Sequence, residues 1–146
     1  MTSALFLILA VLQAAPPVDR PNTLTAAERA AGWHLLFDGR TLRGWRGVGY
    51  DSAPPGHWVI VDGTIKKVAS GNVPRAADGR PLSGGDLMTA DTFGDFELAW
   101  EWKVTAGANS GVKYNVSEEL SVAQGGAGPG LPAHSALGFE YQILDD

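Results

Sequence analysis

A chain of 146 residues has room for one domain, and its formal charge of −5, from 11 Lys and Arg against 16 Asp and Glu, supplies no basic stripe to neutralise phosphates; nucleic acid is therefore excluded as the expected partner. The absence of cysteine excludes a disulfide framework, a thiolate metal site and a cysteine nucleophile. Nineteen glycines and nine prolines, spread between short apolar runs, favour many turns and short strands over long helices, so the expected class is all-β.

The first fifteen residues carry an apolar run over 4–12 followed by Gln13-Ala14-Ala15 and then Pro16-Pro17. The run is shorter than the roughly 20 apolar residues that span a bilayer and matches the core of a signal peptide. The expected location is therefore outside the cytoplasm, with no membrane span left after cleavage. No Lys or Arg precedes the run, which leaves an uncleaved anchor as the alternative.

Residues 16–31 form a linker and a short helix. Thr25-Ala26-Ala27-Glu28 has the Thr-x-x-Glu pattern of a capping box, in which the hydroxyl accepts from the amide three residues on while the carboxylate reaches back. Gly32 supplies the stop. From there the period becomes two. Leu35-Leu36-Phe37 ends at Asp38-Gly39, and residues 57–61 and 64–68 flank Asp62-Gly63, a two-residue hairpin turn. Residues 69–85 are a Gly, Pro, Asp and Ser loop.

The clearest expected strand is 95–104, where Phe96, Leu98, Trp100, Trp102 and Val104 alternate with Glu97, Ala99, Glu101 and Lys103. After Asn109-Ser110-Gly111 a second strand sets Val112, Tyr114 and Val116 against Lys113 and Asn115. A loop is expected over 118–135, and its glycine-rich part, 124–130, lacks the Gly-Lys-Ser/Thr ending of a phosphate cradle. A last strand over 137–144 sets Phe139, Tyr141 and Ile143 against Glu140 and Gln142. Strands with one apolar face each require a covering layer, which makes a two-sheet sandwich the economical architecture.

With the apolar faces turned inward, Glu97, Glu101, Lys103, Lys113, Asn115, Glu140 and Gln142 gather on polar sheet faces, an arrangement that ordinary solvent-facing alternation also produces. Oxygen ligands spaced as in Glu140-Tyr141-Gln142-Ile143-Leu144-Asp145 suit a hard cation or sugar hydroxyls. His34, His57 and His134 have no metal-ligand spacing and are expected at the surface or in loops.

Several strings together resemble the 3-keto-disaccharide hydrolase family: Trp33-His34-Leu35-Leu36-Phe37-Asp38-Gly39 with Leu42-Arg43-Gly44-Trp45, Trp58 through Asp62-Gly63, Asp86-Leu87-Met88-Thr89, Phe93-Gly94-Asp95-Phe96-Glu97-Leu98, Asn109-Ser110-Gly111, and residues 138–145. The resemblance covers 32–146. It implies a concanavalin A-like, two-sheet jelly-roll sandwich and an extracytoplasmic enzyme that cleaves 3-keto-glycosides or 3-keto-disaccharides by hydrolysis, or by elimination and hydration. It also implies further strands after the Glu-x-Gln-x-x-Asp string, so the domain is expected to be incomplete at Asp146. On this sequence it assigns Glu140 as base or metal ligand, Asp145 as metal ligand or sugar contact, Gln142 as ligand or sugar contact, Asn109 and Ser110 as substrate-site residues, and Trp45 as a sugar-stacking ring, with a place in the core as the alternative for Trp45. A divalent ion is the implied cofactor and a 3-keto sugar the implied partner. Asn115 stands where the family commonly has an arginine, a departure that removes a charge-assisted substrate contact. The competing functions are a non-catalytic carbohydrate-binding module, since the same sandwich serves lectins, and an envelope domain that engages another protein.

Overall fold

The computed structural model describes residues 20–79, 85–124 and 135–145. The leader segment 1–15, the start of the linker and most of the glycine-rich 124–130 stretch lie outside them. Helix α1 (Ala26–Ala30) opens with the anticipated capping box: Thr25 Oγ1 accepts from the Glu28 amide at 3.2 Å, and Glu28 Oε2 accepts from the Thr25 amide at 2.7 Å. Two of the helix's orphan amide donors are satisfied locally in this way, which is why so short a helix holds.

Six strands form three antiparallel pairs among the described residues. Strand β1 (Trp45–Gly47) pairs with β4 (Leu87–Thr89), β2 (Trp58–Val61) with β3 (Thr64–Lys67), and β5 (Asn109–Tyr114) with β6 (Phe139–Leu144). The β2–β3 hairpin turns on Asp62 and Gly63, with φ of 49° and 71°. Positive φ at both central positions is the two-residue turn whose twist matches that of its flanking strands, and Asp-Gly is among the pairs that tolerate it best. The architecture is all-β, antiparallel strands with short helical insertions, as in a β-sandwich.

Three expectations are corrected. Residues 95–104 join no ladder: Trp100 meets the Tyr141 ring edge-on at 5.7 Å, but no described strand lies alongside to accept their backbone bonds. Alternation marks a segment able to present one apolar side, whereas strand assignment needs a paired neighbour. Strand β5 stops at Tyr114 instead of running on to Val116, because Asn115 adopts a φ of 52°, a left-handed turn that asparagine accepts and most side chains resist. The loop expected from residue 118 begins instead as helix α2 (Glu118–Gln124), with Ser117 Oγ accepting weakly from the Leu120 amide at 3.4 Å and with Glu118 and Glu119 in the first turn.

The anchor of α2 is electrostatic. Glu118 takes Arg46 in a two-pronged ion pair, Nη1 to Oε1 and Nη2 to Oε2 (2.8 Å), and accepts from the Gly49 amide at 2.8 Å. Chiefly the Arg46 hydrogen bonds, then the Gly49 amide, hold its carboxyl down at about 2. Among the described residues the buried apolar side chains are Val48, Val73, Ala136 and Ile143, while Phe139 and Tyr141 on β6 stand 65% and 59% exposed. Among the described residues no helix is long and apolar enough to cross a membrane.

Candidate active site

The β5–β6 register sorts the chemistry of this region. Directly opposed residues of an antiparallel pair share a face, and successive residues alternate between faces. Asn109 opposite Leu144, Gly111 opposite Gln142 and Lys113 opposite Glu140 therefore lie on one side; Ser110 opposite Ile143, Val112 opposite Tyr141 and Tyr114 opposite Phe139 lie on the other. The first side is polar. The second is apolar, with the Tyr114 and Phe139 rings 5.8 Å apart.

Glu140 folds over Gly111. A Cβ at position 111 would come within 2.7 Å of the Glu140 Cγ and 2.8 Å of its Cδ, so the carboxylate arm fits because position 111 has no side chain. Among the described residues no hydrogen bond or ion pair ties the Glu140 carboxylate. Its cross-strand neighbour Lys113 turns to Asp86 instead, Nζ to Oδ2 at 3.0 Å, and the same oxygen accepts from the Ala136 amide at 2.9 Å.

The residue before Asp86 places a second ammonium group. The Gly85 carbonyl accepts from Trp58 Nε1 at 2.6 Å and from Lys67 Nζ at 3.2 Å, while that same ammonium sits 4.9 Å from the centre of the Trp58 ring. Burial lowers the Lys67 pKa, and the nearby Asp86 charge partly opposes the shift. His57 lies in the turn before β2, one of the two places expected for it, but is fully buried beneath this group, with Nδ1 at 3.4 Å from Lys67 Nζ. Desolvation first, and then the Lys67 charge, lower its pKa and keep the ring neutral. With the ammonium as donor Nδ1 is the acceptor, so Nε2 carries the proton, and that buried N–H has no partner among the described residues. Gly85 packs flat on the imidazole: a Cβ there would lie 2.5 Å from Nδ1.

The expected site residues are thus only partly gathered. Asn109, Gln142 and Glu140 share the polar face, while Ser110 lies on the apolar one, since neighbours on a strand cannot point the same way. Trp45 is half-buried and donates its indole N–H to the Leu36 carbonyl at 2.6 Å, which pins the 35–37 segment to β1. Asp145 accepts from the Gly107 amide at 2.7 Å and closes the loop that leads into β5. Five positions of extended chain, about 17 Å, separate Glu140 from Asp145, so the two do not fit around one ion. Among the described residues no cluster of three His, Asp or Glu side chains comes close enough to hold a metal. Asp86, Lys67, Trp58 and His57 were not legible as site residues: their contacts span 10 to 50 positions, and no local spacing encodes them.

On the polar face of β5–β6 stand a carboxylate with no ion-pair partner among the described residues, Glu140, and the ammonium of Lys113, groups suited to acid–base work on a polar ligand. Residues 32–146 match the family described as the 3-keto-alpha-glucoside-1,2-lyase-like domain, and the chain belongs to that family. It is 44% identical over 117 residues to a 3-keto-disaccharide hydrolase of Bacteroides thetaiotaomicron; the match takes in 80% of this chain and 38% of that relative's length.

Proposed function

We propose that the protein cleaves glycosides oxidised to a ketone at C3, by elimination followed by hydration, with Glu140 as the base. The observation that carries this reading is the Glu140 carboxylate, without a partner among the described residues, on the polar face of β5–β6 within a chain of this family. A ketone at C3 acidifies the C2 proton. Glu140 takes that proton and the electron pair moves onto the C3 oxygen as an enolate. The enolate collapses to a C1–C2 double bond as the C1–O bond breaks and the leaving oxygen is protonated. Water then adds at C1 and a proton returns to C2, so that the net change is hydrolysis. The scheme needs one base and support for the enolate oxygen, not the paired carboxylates of ordinary glycosidases. Gln142 and Asn109 share that face, which supports a role for them as hydrogen-bond partners of sugar hydroxyls. We read the domain as a jelly-roll, and the leader-like 1–15 segment supports action outside the cytoplasm.

Release of the leaving group from a 3-keto-glucoside, with deuterium incorporation at C2, is the direct test. Glu140→Gln is expected to lower release by about 10²–10⁴-fold. Release by the parent protein without C2 exchange would contradict elimination, and an arm with chelator reports on a divalent ion. A carbohydrate-binding role is favoured by a separate observation, a shallow cleft of about 280 Å³ lined by Trp102, Tyr141, Gln142, Ile143 and Leu144, whose exposed aromatic rings suit the apolar face of a pyranose. Sugar binding without turnover would move the assignment there.

A further inference from the structure

Lys113 and Glu140 are cross-strand partners, with Cβ atoms expected about 5 Å apart, a position from which a lysine ordinarily pairs with the carboxylate. It does not. Its ammonium is bonded to Asp86 at 3.0 Å, and Asp86 is itself fixed by the Ala136 amide at 2.9 Å. The consequence is twofold. Among the described residues no cation lies within pairing distance of the Glu140 carboxylate, which stays open to a ligand. Lys113 also stays at the same face with one of its three N–H donors engaged by Asp86, and its side chain is only 26% exposed, so the positive charge is partly shielded from water.

We infer that Lys113 is a further catalytic residue of the proposed elimination, carrying the charge that develops on the substrate's C3 oxygen, and that Asp86 is the positioning residue which holds it off Glu140. The inference rests on the elimination reading. When the C2 proton passes to Glu140, the ketone oxygen becomes an enolate oxygen a few ångströms from the base. An ammonium already placed beside that base supports the new charge without reorganising. The fixed Asp86 contact keeps the two roles apart: acid-side charge on Lys113, proton acceptance on Glu140.

The test uses the full chain with a 3-keto-glucoside, following both C2 deuterium exchange and leaving-group release across pH. Lys113→Met is expected to lower kcat by about 10²–10³-fold with a smaller change in KM, and Lys113→Arg, which retains the charge and the Asp86 pair, to recover at least about tenfold of that loss. Asp86→Asn keeps an acceptor for the Ala136 amide but frees Lys113 to turn to Glu140; its acid limb in the kcat/KM profile is expected to move to lower pH as the carboxylate is paired. Lys113→Met within threefold of the parent, or an unshifted acid limb in Asp86→Asn, overturns the inference while leaving elimination standing. A folded parent protein that shows neither exchange nor release overturns the elimination reading, and with it the role of Lys113.

Discussion

Glu140 and Gly111 occupy the same space on the polar face of β5–β6: the carboxylate arm of one lies where any side chain on the other would have to be, with a hypothetical Cβ 2.7 Å from the Glu140 Cγ. Real Cβ atoms do not approach so closely, so the smallest possible addition at position 111 must displace the proposed base. Both residues sit at an open face and not in the packed interior, which separates the local displacement from the stability of the fold.

Gly111→Ala is therefore expected to reduce 3-keto-glucoside cleavage by at least about tenfold, since small misplacements of a reacting group cost about that much or more, while changing stability by no more than about 1 kcal/mol. Thermal melts alongside leaving-group release check the pair of outcomes. A destabilised variant with unchanged turnover would place the base elsewhere.

Gly85→Ala is the contrasting case. Position 85 has a φ of +82° and packs on the fully buried His57 ring, so a methyl group there meets both backbone strain and a collision. The expected loss is about 2–4 kcal/mol of unfolding free energy, read from urea denaturation. A loss under about 0.5 kcal/mol would show that the His57 ring moves freely.

Acid is expected to act through that same ring. Folding lowers the pKa of His57, so below the unfolded value near 6.5 the unfolded chain binds a proton that the folded chain does not. Stability then falls as pH drops through 6.5 and continues to fall until the folded ring protonates as well. Replacing His57 by Gln should flatten the dependence between about pH 7 and 5.5. Parallel curves for parent and variant would remove the ring as the cause.

The Arg46–Glu118 pair adds a second loss of stability in acid, at lower pH. The Glu118 carboxyl is held at about 2 against an ordinary 4.5, so its stabilisation is complete above 4.5 and is lost as pH falls toward 2. Glu118→Gln should cost about 1 kcal/mol at pH 7, the scale of a partly exposed ion pair, and progressively less below pH 4. Melting temperatures across that range test it, and a cost that persists unchanged at pH 2 would contradict the ion pair as its source.

The local devices of this fold are written in contiguous residues. Thr25-x-x-Glu28 closes its own capping box, Asp62-Gly63 sets the hairpin turn through the φ values those two residues tolerate, and the alternation from Phe139 to Ile143 assigns the two faces of β6 before any partner is known. Each rests on interactions within a few positions, which is why the all-β class and the polar placement of Glu140 and Gln142 were open to inspection. Helix α2 was within reach as well, since Ser117 followed by two glutamates is a helix-start signal, but the glycines further along drew the whole stretch into a loop.

Tertiary structure decided what depends on distant partners. The residues of 95–104 alternate as cleanly as any strand yet form no ladder, because a ladder needs a neighbour that periodicity cannot supply. Ser110 adjoins Asn109 in sequence but faces away from it, and Asp145 is engaged by the Gly107 amide. That Lys113 bonds Asp86, 27 positions away, in preference to the glutamate directly across the sheet, and that Lys67 meets the carbonyl of Gly85 above a buried His57, follow from chain segments packed together only in the folded state. The residue types of a reactive face were set locally by strand alternation; which charge pairs with which was set by packing, since Coulomb and hydrogen-bond partners are chosen by distance in space and not along the chain.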